Sequence, residues 1–193
     1  KLVQTVSYLP HFLSTVVVCG MVVNFLSSEG IFNQFLSVFG LEPVLWLMEA
    51  KYFRTIYIAS GIWQGVGWGS IIYLAALTGI DAALYEASLV DGANRWQKFL
   101  YISLPGIMPT ISIMLILDVG KIMTVAFEKI LLLYTGPTMK VADVISTYVY
   151  RRGILGADFG YGTAVGVFES VVCLIFLMGS DRISKKLSGS GLF

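Results

Sequence analysis

Between Thr55 and Ile80 the chain runs for 26 residues without a charged side chain. About 20 apolar residues are enough for a helix to cross the hydrocarbon core of a bilayer. Three further runs come close to that length. Thr5 to Leu26 has His11 as its one titratable side chain besides Tyr8 and Cys19; Gly106 to Phe127 is interrupted by Asp118 and Lys121; Tyr161 to Ser180 holds Glu169. Composition agrees: 56% of the residues are hydrophobic and 13% charged, with a mean hydropathy of +0.80, whereas a soluble domain carries about 25% charge. One core in a protein of this size cannot hide so much apolar surface. The expected fold is therefore an all-α, polytopic transmembrane bundle with four spans and both ends on one side.

The net charge of +1 and the absence of a basic stripe exclude nucleic acid as a partner. Cys19 and Cys173 sit in apolar runs and read as buried small hydrophobes without a disulfide framework. His11, beside Pro10, reads as interfacial or packed, with no Cys or carboxylate companions for a metal. The sequence opens on Lys1 with no signal peptide before the first span, so it reads as the C-terminal part of a longer chain.

Gly61, Gly65 and Gly69 form a small-residue ladder that permits close helix approach in lipid, and Gly162 and Gly166 repeat it. The ladder serves packing either within this subunit or against a second one. The connection 27–54 contains an apolar stretch, Gly30 to Leu41, then Trp46 and Tyr52, and reads as a short interfacial helix. The connection 128–160 has a Gly136-Pro137 turn and then Val144 to Tyr150, a short amphipathic helix or an irregular cap. Charge sets orientation poorly. Lys1, Arg95, Lys98, Arg182, Lys185 and Lys186 face Lys51, Arg54, Lys129, Lys140, Arg151 and Arg152, six against six. The tail cluster Arg182, Lys185 and Lys186 favours a cytoplasmic C-terminus, which places 81–105 on the same side.

That polar segment is the most patterned in the chain. Asp81 is a natural N-cap for Ala82 to Val90. Gly92 breaks the run at low steric cost. Asn94 caps a second short helix through Trp96, Lys98 and Phe99, and Leu104-Pro105 with Pro109 opens the next span. Small residues at Ala83, Ala87 and Ser88, charges at Glu86 and Asp91, and anchors at Trp96 and Phe99 make a surface a partner can grip. From these properties alone, an amphipathic segment resting on the membrane is an equal alternative.

The spacing decides between them. Glu86-Ala87-Ser88, three residues, Gly92, nine residues, Ile102, one residue, Leu104-Pro105 resembles the EAA loop of binding-protein-dependent ABC importer permeases, with Ser88 standing for Ala. The surroundings, Leu84-Tyr85-Glu86-Ala87, Asp91-Gly92-Ala93-Asn94-Arg95-Trp96, the stretch from Val66 to Leu74 and Tyr148-Val149-Tyr150-Arg151, are similar to the sugar and oligosaccharide branch. The resemblance runs from Lys1 to Phe193. It implies a single transmembrane permease domain over 1–193 of the type I importer fold, with one or two of six spans outside this sequence. It implies that 81–105 is the cytoplasmic coupling loop that seats in an ATPase. It also implies a second permease subunit, usually a different chain, two cytoplasmic ATPase subunits that bind ATP and Mg, an extracytoplasmic solute-binding protein and a sugar substrate. The location implied is the bacterial plasma membrane. No Gly-x-x-x-x-Gly-Lys-Ser/Thr run occurs, so this chain is not expected to bind ATP as a P-loop protein, and no catalytic set converges.

Ionisable groups inside a membrane are costly and usually face protein or a wet cavity. Asp118 and Lys121, three apart on one helix face, and Glu169 are read either as lining a translocation path or as structural, Asp118 pairing with Lys121 and Glu169 bridging helices. Trp68 is a candidate to stack on a sugar ring, or a packed aromatic. The same charges would serve an ion-gradient-driven secondary transporter as a relay, but no internal repeat is present.

Overall fold

The computed structural model describes residues 2–121 and 127–188, with side chains described as far as Lys185. Among the described residues the secondary structure is helical throughout: α1 (Leu2–Tyr8), α2 (Thr15–Phe25), α3 (Ile31–Val38), α4 (Ala50–Thr78), α5 (Ala82–Val90), α6 (Arg95–Lys98), α7 (Leu104–Gly120), α8 (Phe127–Leu133), α9 (Met139–Ala142), α10 (Ile145–Val149) and α11 (Phe159–Ser188). A 3-10 turn covers Leu9–Phe12, and π-helical turns cover Phe99–Ser103 and Tyr150–Leu155. The chain forms two compact units, Lys1–Trp68 with Thr124–Val165, and Gly69–Met123 with Gly166–Phe193.

Two unbroken helical runs are long and apolar enough to cross a membrane, Arg95–Gly120 and Phe159–Lys185. Two more crossings exist if each bent pair counts as one: Leu2–Phe12 with Thr15–Phe25, bent by 102°, and Ala50–Thr78 with Ala82–Val90, bent by 68°.

The span limits differ from those expected. The first, read as one run from Thr5 to Leu26, is broken at Leu13 and Ser14. Pro10 sits in the first turn of the 3-10 segment, and Ser14 takes an extended conformation and caps α2, its hydroxyl accepting from the Val17 N–H at 3.3 Å. The third begins at Arg95, not at Gly106. Pro105 has no N–H to return to the carbonyl four residues back, and the π turn just before it absorbs the defect, so α6 runs on into α7 without a stop. Pro109 also lies inside that helix. The run ends at Gly120, so Asp118 and Lys121 stand at its C-terminal end rather than in its middle; residues 122–126 of the expected span lie outside the described residues. The fourth continues past Ser180 through Ser188, so the expected polar tail is helical as far as it is described.

In the first unit, Cys19, Phe53, Ile130, Leu133 and Ala142 form the core, with Val22, Tyr57 and Tyr134 packed on it. Cys19 is a buried free thiol here; Cys173, on α11, is a half-buried one. His11 stacks on Trp68 with ring centroids 4.6 Å apart and planes 3° from parallel, and Phe12 meets the same indole edge-on. The close helix approach falls at Gly67, where any Cβ would collide with the Ser7 carbonyl. Within this chain it does not fall on Gly61, Gly65 or Gly69: a Cβ at Gly65 or Gly69 meets nothing within 4 Å, and one at Gly61 meets only the Lys129 ammonium; of the repeat, Gly162 does lie against Gly153, where a Cβ would stand 3.2 Å from the Gly162 Cα. The 27–54 connection is helical at α3, as expected, and Asn33 fixes the rest. Its amide donates to the Ser27 and Val44 carbonyls at 2.9 and 3.0 Å and accepts from the Val44 N–H and Trp46 Nε1–H at 2.9 and 3.1 Å.

Candidate functional site

Residues 81–105 lie wholly in the second unit, and local rules set their shape. The Asp81 carboxylate accepts from the Ala83 N–H at 2.9 Å and starts α5. The helix ends in a Schellman motif: Gly92 N–H to Leu89 C=O at 3.1 Å and Ala93 N–H to Ser88 C=O at 2.9 Å. Gly92 has φ +73°, the left-handed conformation such an ending requires. Asn94 then closes a capping box with Gln97, its side chain accepting from Gln97 N–H at 2.9 Å while its own N–H donates to the Gln97 side chain at 2.8 Å. The Tyr85 and Ser103 hydroxyls are 2.9 Å apart and tie α5 to the base of the next span. Ser88, the departure from the motif, is buried and its hydroxyl donates to the Tyr85 carbonyl at 2.7 Å, so the extra polar atom is satisfied locally.

The motif residues thus divide between α5 with its Gly92 ending and the π turn that opens α7. Glu86, Ala87, Asp91 and Gly92 are exposed, Ile102 and Leu104 half-buried, and Pro105 exposed. Around them stands an apolar surface: Val90 is 90% exposed, Tyr101 77%, Trp96 67% and Leu89 65%. Trp96 and Phe99 stack with centroids 5.4 Å apart. α5 carries Glu86 and no Lys or Arg, and the basic residues of the segment, Arg95 and Lys98, stand on α6. Exposed apolar side chains of this kind can serve as anchors for a partner.

The four residues read as a possible path fall in both units. Trp68 belongs to the first unit, packed on His11. In the second unit Gly120 approaches Leu177, a Cβ there falling 3.1 Å from Leu177 Cδ1. Glu169 lies eight residues before Leu177 on α11, about 12 Å along the helix axis. Asp118 and Lys121 are exposed. Glu169 is half-buried, and its Oε1 is shielded from solvent without a hydrogen-bond partner among the described residues.

Two charged sites were missed by the sequence reading. Asp143 receives Arg151 in a two-pronged ion pair at 2.9 and 2.6 Å and the Thr147 hydroxyl at 2.6 Å. The guanidinium holds that carboxyl below its ordinary pKa. Lys129, counted above as a loop charge, is 5% exposed, and its Nζ has no hydrogen-bond partner among the described residues. The Tyr57 ring lies 5.5 Å from it. Such a contact returns about 0.5–2 kcal/mol, while burying an unpaired ion costs several kcal/mol; accordingly burial pushes the Lys129 pKa down. Its one sequence signal is the apolar company of Ile130 and Leu133 on a short helix. Next to this core, Val22, Phe25, Trp46, Tyr52, Ser60 and Trp63 contribute to an apolar cavity of about 490 Å³ between α2 and α4.

The family model described as "binding-protein-dependent transport system inner membrane component" matches residues 1–189. A polygalacturonan/rhamnogalacturonan transport system permease protein of Bacillus subtilis (strain 168), YteP, is 40% identical over all of this chain and 60% of its own length. The arabinooligosaccharides transport system permease protein AraP of Halalkalibacterium halodurans is 33% identical over 94% of this chain and 58% of its own length. The crystal structure of a bacterial alginate ABC transporter in complex with alginate pentasaccharide-bound periplasmic protein contains a chain that matches with TM-score 0.96 and 48% identity, over all of this chain and 67% of that one. The chain therefore spans about 60% of the length of the curated relatives it matches. With a family model matched from end to end of the described fold, and apolar helices to cross the bilayer, the chain belongs to the inner-membrane components of binding-protein-dependent transport systems.

Proposed function

We propose that this chain is a membrane-spanning subunit of a type I ABC importer for an oligosaccharide, and that the oligosaccharide is acidic. The observation that carries the importer reading is the 81–105 loop, held in shape by its own caps while presenting Leu89, Val90, Trp96 and Tyr101 outward. A partner ATPase seated there on the cytoplasmic side, one of two that hold ATP and Mg, closes on nucleotide and pushes the loop. The spans switch between inward-open and outward-open states, each favoured by a different set of ligands. A solute-binding protein delivers the sugar at the outer face, near 27–54 and 128–160, and a second permease subunit completes the path. Asp118, Lys121 and Glu169 line it or border it.

The acidic character draws on the relatives. One is named for polygalacturonan and rhamnogalacturonan, polymers containing uronic acid, and two matching structures concern alginate, described as an acidic polysaccharide. The test is ATP-dependent uptake of a labelled oligogalacturonide or alginate oligosaccharide by the complete transporter in proteoliposomes, with binding protein outside. Uptake that needs ATP and the binding protein supports the proposal. Uptake driven by an ion gradient without ATP refutes it in favour of secondary transport.

A further inference from the structure

The Lys129 ammonium is the buried charge that the coupling loop leaves unexplained. It projects from the first turn of α8 into the core of the first unit, near Cys19 of α2 and over the Tyr57 ring of α4. A Cβ on Gly61 would stand 3.5 Å from Nζ, so the missing side chain there is what lets the ammonium lie against α4. Its neighbour Glu128 is exposed, and residues one apart on a helix point to different sides. No hydrogen-bond acceptor reaches Nζ among the described residues. The cavity between α2 and α4 lies along the same seam: Ser60, next to Gly61, and Val22, one turn on from Cys19, are both in its wall. Trp46, Tyr52 and Trp63 give that wall flat aromatic faces, and about 490 Å³ falls within the range of small-molecule sites.

We infer that Lys129 is the carboxylate anchor of the permease: when α2, α4 and α8 part during the transport cycle, its ammonium meets a uronate carboxylate while the aromatic wall takes the sugar ring. This rests on the acidic-substrate reading above. A carboxylate from a neighbouring chain is the less suitable partner, because Lys129 is 5% exposed and its Nζ is shielded from the surface by this chain's own residues. A mobile solute gains access as the helices separate, and a fixed residue outside does not.

The experiment compares uptake of trigalacturonate with that of its methyl ester, which has the same shape and no charge, by the complete transporter carrying Lys129, Lys129→Met or Lys129→Arg. The wild type is expected to prefer the acid. Lys129→Met is expected to lower acid uptake at least tenfold and leave the ester unchanged at equal membrane abundance. Lys129→Arg, which keeps the charge and guards against misfolding of the Met variant, is expected to shift KM for the acid and not for the ester. The inference is overturned if Lys129→Met keeps the wild-type preference, or if both variants lose acid and ester alike. Loss of co-purification of the second permease in Lys129→Met also overturns it, by assigning the ammonium to a subunit contact. A wild type that carries the ester and not the acid refutes the acidic-substrate reading itself, before any variant is considered.

Discussion

Gly92 offers the sharpest test of the proposed coupling loop, because the structure separates two costs that usually mix. Its φ of +73° is a conformation that disfavours any residue with a Cβ, by roughly 1–2 kcal/mol for L-residues in the left-handed region. A Cβ there meets nothing within 4 Å, so no steric clash with the surroundings adds to that figure. The expected order is therefore purely one of backbone preference: Gly92→Asn mildest, since Asn tolerates this region, Gly92→Ala about 1 kcal/mol, and Gly92→Val about 2 kcal/mol or more. One to two kcal/mol changes a two-state population about 5–30-fold. That is enough to lose the Schellman ending, turn the Ala93 N–H away from Ser88 and change the direction in which α6 with Trp96 leaves α5. The assay is substrate-stimulated ATP hydrolysis and uptake by the complete transporter at matched abundance. Coupled hydrolysis should fall in the order Asn, Ala, Val while subunit assembly persists. Full coupling in Gly92→Val, or equal loss in Asn and Val, would show that the left-handed turn is not what positions the coupling surface.

Other outcomes follow from particular residues. With Cys19 and Cys173 replaced, a single cysteine at Lys98 should resist a membrane-impermeant thiol reagent in intact cells and react in inverted vesicles; labelling from outside would reverse the orientation. Asn33→Ala strands three groups of the 27–46 segment, the Val44 N–H and C=O and the Trp46 indole N–H, while the Ser27 carbonyl keeps the Gly30 N–H. Each buried unsatisfied group costs about 1–3 kcal/mol, so the purified transporter should melt several degrees lower; an unchanged Tm would mean water replaces the amide. Asp143 titrates below its ordinary 3.8 because of Arg151, so its stabilising contribution is present above 3.8 and lost as pH falls through the lower folded value. Asp143→Asn and wild type should then differ in Tm at neutral pH and converge only below about pH 4; convergence at pH 5 or above contradicts the ion pair's role. Glu169→Gln should alter sugar uptake more than abundance if Glu169 lines the path, and Asp118→Asn should do less, being exposed at a helix end; full uptake in both removes them from it.

What the sequence revealed was governed by interactions three or four residues long. Asp81, Gly92 and Asn94 could be read as cap, stop and cap because every hydrogen bond that defines those roles closes within five residues. The fold class and the family motif were legible for related reasons, one a matter of composition and the other of fixed spacing. Span limits were not. Arg95-Trp96-Gln97-Lys98 is too polar to read as part of a crossing, yet the π turn before Pro105 carries the helix through it. The glycine ladder marks where helices can approach, not where a partner stands; within this chain Gly61, Gly65 and Gly69 make no close approach, whereas Gly67 does and Gly162 lies against Gly153. Lys129 and Asn33 were illegible for the same physical reason. The burial of Lys129 depends on Tyr57 and Gly61, and the role of Asn33 on a strand of irregular backbone that returns at Val44 and Trp46.

The loop combines two properties that are opposed in an ordinary surface segment. Its shape is fixed by internal bonds, each cap being worth about 0.5–2 kcal/mol, and the Tyr85–Ser103 contact fastens it to the span. Its outer side nevertheless leaves Leu89, Val90, Trp96 and Tyr101 in the open, although fully burying one large apolar side chain is worth about 1.5–3 kcal/mol. A flexible loop with those residues would fold them inward or spend binding energy on ordering. Here the caps prevent the first and remove the need for the second, so a docking partner gains the apolar burial with little ordering cost. In the proposed docking, the Tyr85–Ser103 contact is the side-chain link by which a push on α5 would reach the span. Stiffness of this kind has a use only where something pushes, and that ties the local hydrogen-bond pattern to the proposed ATPase contact more directly than the motif's spacing does.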